Sequence, residues 1–260
     1  MTVFDDAWGG ESFFAFCGRW LAPVSEYYIL LQCADGKVFR DSVGSVTKCS
    51  TRKGCHMMRA VLLTGFEPFG GRGVNPSGEA AKNLHGAQIG ETEVMGKVLP
   101  VSWKRSLLCL YHTIEDIDPV AVVMTGQGGR KGITPERIAV NVSHGTDNDE
   151  AERNGEPVIP GGPDGIFSTL PNEQLVEALR EEGIPANISN SAGTYLCNYS
   201  MYGLLHYLNQ NDNQITAGFV HVPLLPQQAA AAARKKIAAS MSQDTIDRAT
   251  KVIIKEVLKT

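Results

Sequence analysis

Two short apolar runs, Arg59–Thr64 and Val120–Met124, each pass straight into a glycine-rich loop. A strand with one wet face alternates apolar and polar residues; these runs do not alternate. They therefore read as strands buried on both faces, as in parallel sheets covered by helices. The segments between and after them supply the covering. Pro76–Leu84 reads as a helix capped by Asn75, and Val94–Val101 as a second strand. Ser102 is expected to cap a helix running through Ile114. Arg137–Val142 reads as a further strand and His144–Gly165 as a long polar loop. Asn172 is expected to cap a helix over Glu173–Glu182, closed by Gly183. Ala186–Ser189 and Gly218–Val222 read as strands, Cys197–Asn209 as a helix. Ser242–Lys259 is a closing helix with Ile246, Ala249, Val252, Ile253 and Val257 on one face.

Strands alternating with helices predict an α/β fold: a three-layer α/β/α sandwich with a mainly parallel central sheet. Ligands bind such sheets at the carboxyl ends of the strands. The loops after Thr64, Met124 and Ser189 are expected to converge there.

With 260 residues and 43% hydrophobic content, the chain suits one such domain with an appendage. The appendage is expected at residues 1–57, an extension with at most a weak hairpin, ahead of a catalytic domain over 58–260. Glu26–Leu31 and Val38–Val46 would pair around Ala34–Lys37. A net charge of −4 gives no strong attraction to nucleic acid. No stretch reaches the roughly 20 apolar residues of a membrane span. Asp5 and Asp6 stand where a signal peptide carries positive charge, which makes the cytoplasm the expected compartment.

Cys17, Cys33, Cys49 and Cys55 lie near the start; only Cys109 and Cys197 follow. Neither set has disulfide-framework or zinc-module spacing, so no metal or other cofactor is expected. Cys197 opens an apolar helix, where the positive end of the dipole favours a thiolate. A buried cysteine used as a small hydrophobe would read the same way. His221 sits at a strand end, followed by Pro223 and Pro226. It is either a base or a hydrogen-bonded core histidine. His206 is on the Cys197 helix but two and a half turns on, out of reach of that thiol. His85, His112 and His144 read as surface or loop residues. Glu136 enters a buried strand, so it needs a partner: an imidazole, or Arg130 or Arg137.

Four segments carry a resemblance. Thr64-Gly-Phe-Glu-Pro-Phe-Gly-Gly71 with Val74-Asn-Pro-Ser77 resembles the opening motif of pyroglutamyl peptidase I, or pyrrolidone-carboxylate peptidase. Pro135–Asn141 resembles that family's glutamate motif, Ser191–His206 its cysteine motif, and Phe219–Pro226 its histidine motif. They stand in family order between Met58 and the C-terminus. The resemblance implies a cysteine peptidase that removes N-terminal pyroglutamate from peptides. It implies a triad of Cys197, His221 and Glu136, and a pocket walled by Phe66 and Phe69 with Asn75 nearby. It gives Gln127 a lactam-binding role and implies a homo-oligomer, a tetramer in the family. Three departures stand out. The loop Gly126–Arg130 is one residue shorter than the family form. Thr146 stands where the family carries an arginine, and residues 1–57 have no counterpart. Met58 is the expected natural start. The competing readings are a phosphate- or nucleotide-binding α/β protein and a catalytically inactive family member. The first lacks both G-x-G-x-x-G and a P-loop lysine.

Overall fold

The computed structural model describes residues 59–232 and 238–260, all within the unit His56–Thr260. The hairpin expected around Ala34–Lys37 and the four early cysteines lie outside the described residues.

In chain order the elements are β1 (Arg59–Phe66), α1 (Pro76–Leu84), β2 (Gln88–Ile89), β3 (Thr92–Leu99), α2 (Ser106–Ile117) and β4 (Ala121–Gln127). Then come β5 (Thr134–Pro135), β6 (Ile138–Val140), β7 (Ser143–Thr146), β8 (Glu152–Glu156) and β9 (Gly165–Phe167). The chain closes with α3 (Asn172–Glu181), α4 (Leu196–Gln210), β10 (Thr216–Val222), α5 (Pro226–Ala232) and α6 (Gln243–Val257).

The central sheet has six strands in the order β2-β3-β1-β4-β10-β5. The four inner strands are mutually parallel; the short edge strands β2 and β5 are antiparallel. Successive side chains point to opposite faces of the sheet, and each face buries its own set. Val61, Leu63, Val123, Val220 and Val222 pack beneath α1, α3 and α6. Leu62, Phe66, Val122, Met124 and Phe219 pack beneath α2 and α4. The three layers expected from the sequence are therefore present. A fully buried side chain such as Leu63 or Phe219 stabilises the fold by about 1.5–3 kcal/mol.

Some boundaries differ from expectation. The second helix starts at Ser106, not beside Ser102. The Ser102 hydroxyl instead accepts from the Arg105 amide (3.2 Å) and donates to Asp149 (2.6 Å), so it orders the turn before the helix. Pro171 occupies the cap position of α3, and Asn172 is its first residue. Its side-chain amide points to the Glu136 carbonyl at 3.5 Å. The polar stretch after His144 contains the β7–β8 hairpin. Nearly all its residues face solvent, so no apolar rhythm marks it in the sequence. Arg137–Val142 contributes only β6, which pairs with β9 outside the central sheet. Ala186 and Ser189 make isolated bridges to Ile133 and Glu136, not a strand.

Candidate active site

The site is assembled where β1, β4 and β10 end. Cys197 is the second residue of α4, after the extended Tyr195 and the buried Leu196. The N–H groups of this first turn have no acceptor within the helix and point forward with the positive end of its dipole. Asn198 fixes the helix start to β6. Its side chain donates to the Val140 and Val142 carbonyls (2.8 and 2.9 Å) and accepts from the Val140 amide (2.8 Å). The thiol, half-buried and free, rests against Gly126 at the end of β4. A Cβ at Gly126 would stand 2.9 Å from Sγ and 2.5 Å from the Phe219 ring. Only glycine leaves room for the thiol here.

His221 lies opposite Gly126 in the β4–β10 register and is almost fully buried. Its ring rests on Gly128, where an added Cβ would meet Cδ2 at 2.8 Å. Its Nδ1 is 2.7 Å from Glu136 Oε1. Burial pulls the imidazolium pKa down, but the charge and hydrogen bond of Cys197, and then those of Glu136, outweigh it and raise it to about 9.

Glu136 is completely buried, its backbone amide donating to the Phe219 carbonyl at 2.8 Å. Oε1 receives both His221 and Arg130 Nη2 (2.9 Å). Two of the partners allowed by the sequence, the imidazole and Arg130, are thus present together. Arg137 turns away, to Asn190 and Glu173.

Phe66 ends β1 with its ring 6.4 Å from that of Phe219, which in turn lies 5.0 Å from the His221 ring. Phe69 is half-buried in the next loop, its ring 6.3 Å from Tyr195. Gln127 follows Gly126, and its Oε1 accepts from Gln228 at 3.2 Å. Asn75 is occupied structurally. Its Oδ1 takes the Ser77 amide (3.1 Å) and hydroxyl (2.8 Å), and its Nδ2 donates to the Glu67 carbonyl (3.0 Å). It caps α1 and holds the phenylalanine loop.

The sequence reading missed Tyr195, Trp103 and Asn198 and gave Arg130 no role in the site. Trp103 meets the Tyr195 and Tyr199 rings edge-on at 5.3 and 5.1 Å. The Tyr195 hydroxyl donates to the Thr146 carbonyl at 2.8 Å. Burial, with Asp147 and Cys197 adding to it, raises the Tyr195 hydroxyl to about 12, so it stays protonated. An aromatic residue two places before a candidate nucleophile was the available signal for Tyr195. Trp103 and Asn198 had none short of the tertiary packing. Among the described residues, no three His, Cys, Asp or Glu side chains gather to hold a metal ion.

The pyroglutamyl peptidase family model matches residues 59–260. The chain belongs to that family. A pyrrolidone-carboxylate peptidase of Bacillus cereus is 46% identical over 175 residues, covering 66% of this chain and 81% of the relative. One of Yersinia pestis has the same identity and coverage. Among solved structures, a mutant pyrrolidone carboxyl peptidase from Pyrococcus furiosus superposes with a TM-score of 0.75 at 42% identity. It covers 77% of this chain and 98% of its own. The enzyme from Thermococcus litoralis gives 0.75 at 40%, covering 78% and 94%. At position 146, the threonine carbonyl holds the Tyr195 hydroxyl. The loop Gly126–Arg130 brings its arginine onto Glu136.

Proposed function

We propose that this pyroglutamyl peptidase family member removes N-terminal pyroglutamate from peptides, with Cys197 as nucleophile, His221 as general base and acid, and Glu136 as the residue that orients His221. The observation carrying this is the line from Cys197 over Gly126 to His221 over Gly128 and on to Glu136 Oε1 at 2.7 Å. The thiol proton passes to His221, whose raised pKa keeps it there, and Sγ attacks the carbonyl carbon that follows the lactam ring. The C=O pair moves to oxygen, facing the free N–H groups at the start of α4. Collapse breaks the C–N bond, and the imidazolium gives its proton to the departing amine. Water, losing a proton to His221, then attacks the thioester; the C–S bond breaks and 5-oxoproline leaves.

Pyroglutamate is flat and uncharged, which suits aromatic walls with a few amide partners. Phe66 and Phe69 are the proposed walls, and Gln127 the proposed amide partner. Asn75 serves the pocket through the loop it caps. Cys109 and Cys197 are both free thiols, and a working thiol is best kept in a reducing compartment, so the cytoplasm is the proposed location. Among the described residues, no helix is long and apolar enough to cross a membrane. Assembly into a homo-oligomer is part of the proposal.

Hydrolysis of a pyroglutamyl chromogenic amide by the purified full chain tests the reading. Turnover that iodoacetamide abolishes is expected. No turnover, or turnover indifferent to alkylation, overturns it.

A further inference from the structure

Arg130 makes two contacts with a single nitrogen. Nη2 lies 2.9 Å from Glu136 Oε1 and 2.7 Å from the Ser191 carbonyl. The first is the oxygen that receives His221. The second belongs to the loop leading into the Cys197 helix. That loop is already strapped to the segment around Glu136, since the Ser189 amide donates to the Pro135 carbonyl (2.9 Å) and the Arg137 amide to the Ser189 carbonyl (2.8 Å). Glu136 is fully buried, whereas the Arg130 side chain is 32% exposed. A buried carboxylate oxygen that accepts from a guanidinium is fixed in place by it. Gly128 makes the arrangement possible: a Cβ there would strike the His221 ring at 2.8 Å and the Arg130 stem at 3.2 Å.

We infer that Arg130 is a positioning residue, holding Glu136 toward His221 and tying that pair to the loop before the nucleophile. This rests on the proposed function, in which Glu136 orients the base. Arg130 also competes with His221 for one oxygen. Its removal therefore lets Glu136 stabilise the imidazolium more strongly while losing its fixed direction.

The test uses Arg130→Ala in the full chain, with three readouts. kcat on the pyroglutamyl amide should fall about 10–100-fold with KM changed less than about threefold, because substrate is not touched. The His221 imidazole, followed by NMR with His221→Asn as the assignment control, should titrate about one pH unit higher than in the wild type. Millimolar guanidinium, entering from the exposed side, should restore much of the lost kcat, and ammonium should not. Wild-type kcat with an unmoved His221 titration overturns the inference. So does a loss of kcat that guanidinium does not repair while the titration stays put, since that is what a merely structural arginine gives. If Arg130→Ala does not fold, Arg130→Lys keeps the charge without the planar fork and should show the kcat loss alone. Full activity in the lysine variant counts against the inference. An inactive wild type would sink the proposed function instead, and the titration shift would still decide whether Arg130 governs the Glu136–His221 pair.

Discussion

On one face of the central sheet, α1, α3 and α6 bury Ala, Leu, Val, Ile and Met side chains without an aromatic ring among them. On the other, α2 and α4 bury Phe66, Trp103, Tyr199, Tyr202 and Phe219, with Phe69, Tyr195 and Cys197 at the edge. Both faces are fed by the same strands. In β10, Val220 and Val222 point to the aliphatic side, while Phe219 and His221 share the other. The aliphatic face is closed over by fitting volumes, which any well-packed hydrophobe can supply. The aromatic face carries rings with fixed geometry and polar tips, and these set the edge of a pocket. One face holds the fold and the other aims the chemistry. Substitutions on the two should separate stability from turnover.

The sharpest separation is expected at Cys197. Cys197→Ala should lower kcat by about 10⁴–10⁶-fold while melting close to the wild type, since the thiol is half-buried and makes little of the core. Cys109→Ala should leave turnover near normal. Steady-state kinetics beside a thermal melt of each variant decides this. Substantial activity in Cys197→Ala removes the mechanism.

Glu136→Gln comes next, with kcat expected to fall about 10³-fold in a folded protein. Here pH sharpens the comparison. His221 is raised from its ordinary 6.5 to about 9, with burial opposing the shift and Cys197 and then Glu136 driving it. A raised histidine contributes stability that is complete below pH 6.5 and is lost as pH climbs through 9. Wild-type kcat/KM should therefore fall with an alkaline limb near 9, where His221 loses the proton it gives to the departing amine. In Glu136→Gln that limb should move down toward 6.5. Urea midpoints between pH 6.5 and 9 should flatten more in Cys197→Ala than in Glu136→Gln, because Cys197 is the larger raising influence. An alkaline limb that Glu136→Gln leaves in place excludes Glu136 from orienting the base.

The aliphatic face gives the opposite signature. Ile253 of α6 is 1% exposed within that cluster. Ile253→Ala should cost about 2–5 kcal/mol of stability and leave kcat within about twofold. Urea unfolding and kinetics at a temperature where the variant is folded test this. A matching collapse of kcat would mean that the two faces are coupled through the sheet.

How much of this was legible follows the same division. Continuous apolar runs announced β1 and β4, because burial on both faces leaves its mark on composition. The cap at Asn75 and the amphipathic face of α6 were legible for local reasons. Cys197 and His221 could be singled out by their places at a helix start and a strand end, and by the family motifs they stand in. Ser102 misled because an N-cap residue also orders turns, and here it orders the one before α2. The β7–β8 hairpin was hidden because almost nothing in it is buried. Arg130 was weighed only as a rival to His221 for Glu136. Sequence spacing cannot indicate that one carboxylate oxygen serves both.

The smallest effect is expected from removing residues 1–57. The family match begins at residue 59, and β1 begins there too. Among the described residues, 59–260 supply both faces of the sheet, its six described strands, and Cys197, His221, Glu136 and Arg130. A chain starting at Met58 should therefore express in soluble form, melt within about 2 °C of the full chain and cleave the pyroglutamyl amide at the same rate. The contrary reading gives the aromatic residues Phe13, Phe14, Phe16 and Trp20 an apolar surface to cover. In that case the shortened chain would aggregate, or change its oligomeric state in light scattering. Loss of turnover without aggregation would be a third result, and would place part of the leader in the catalytic unit. The comparison of the two faces would then need a third element that neither cluster contains.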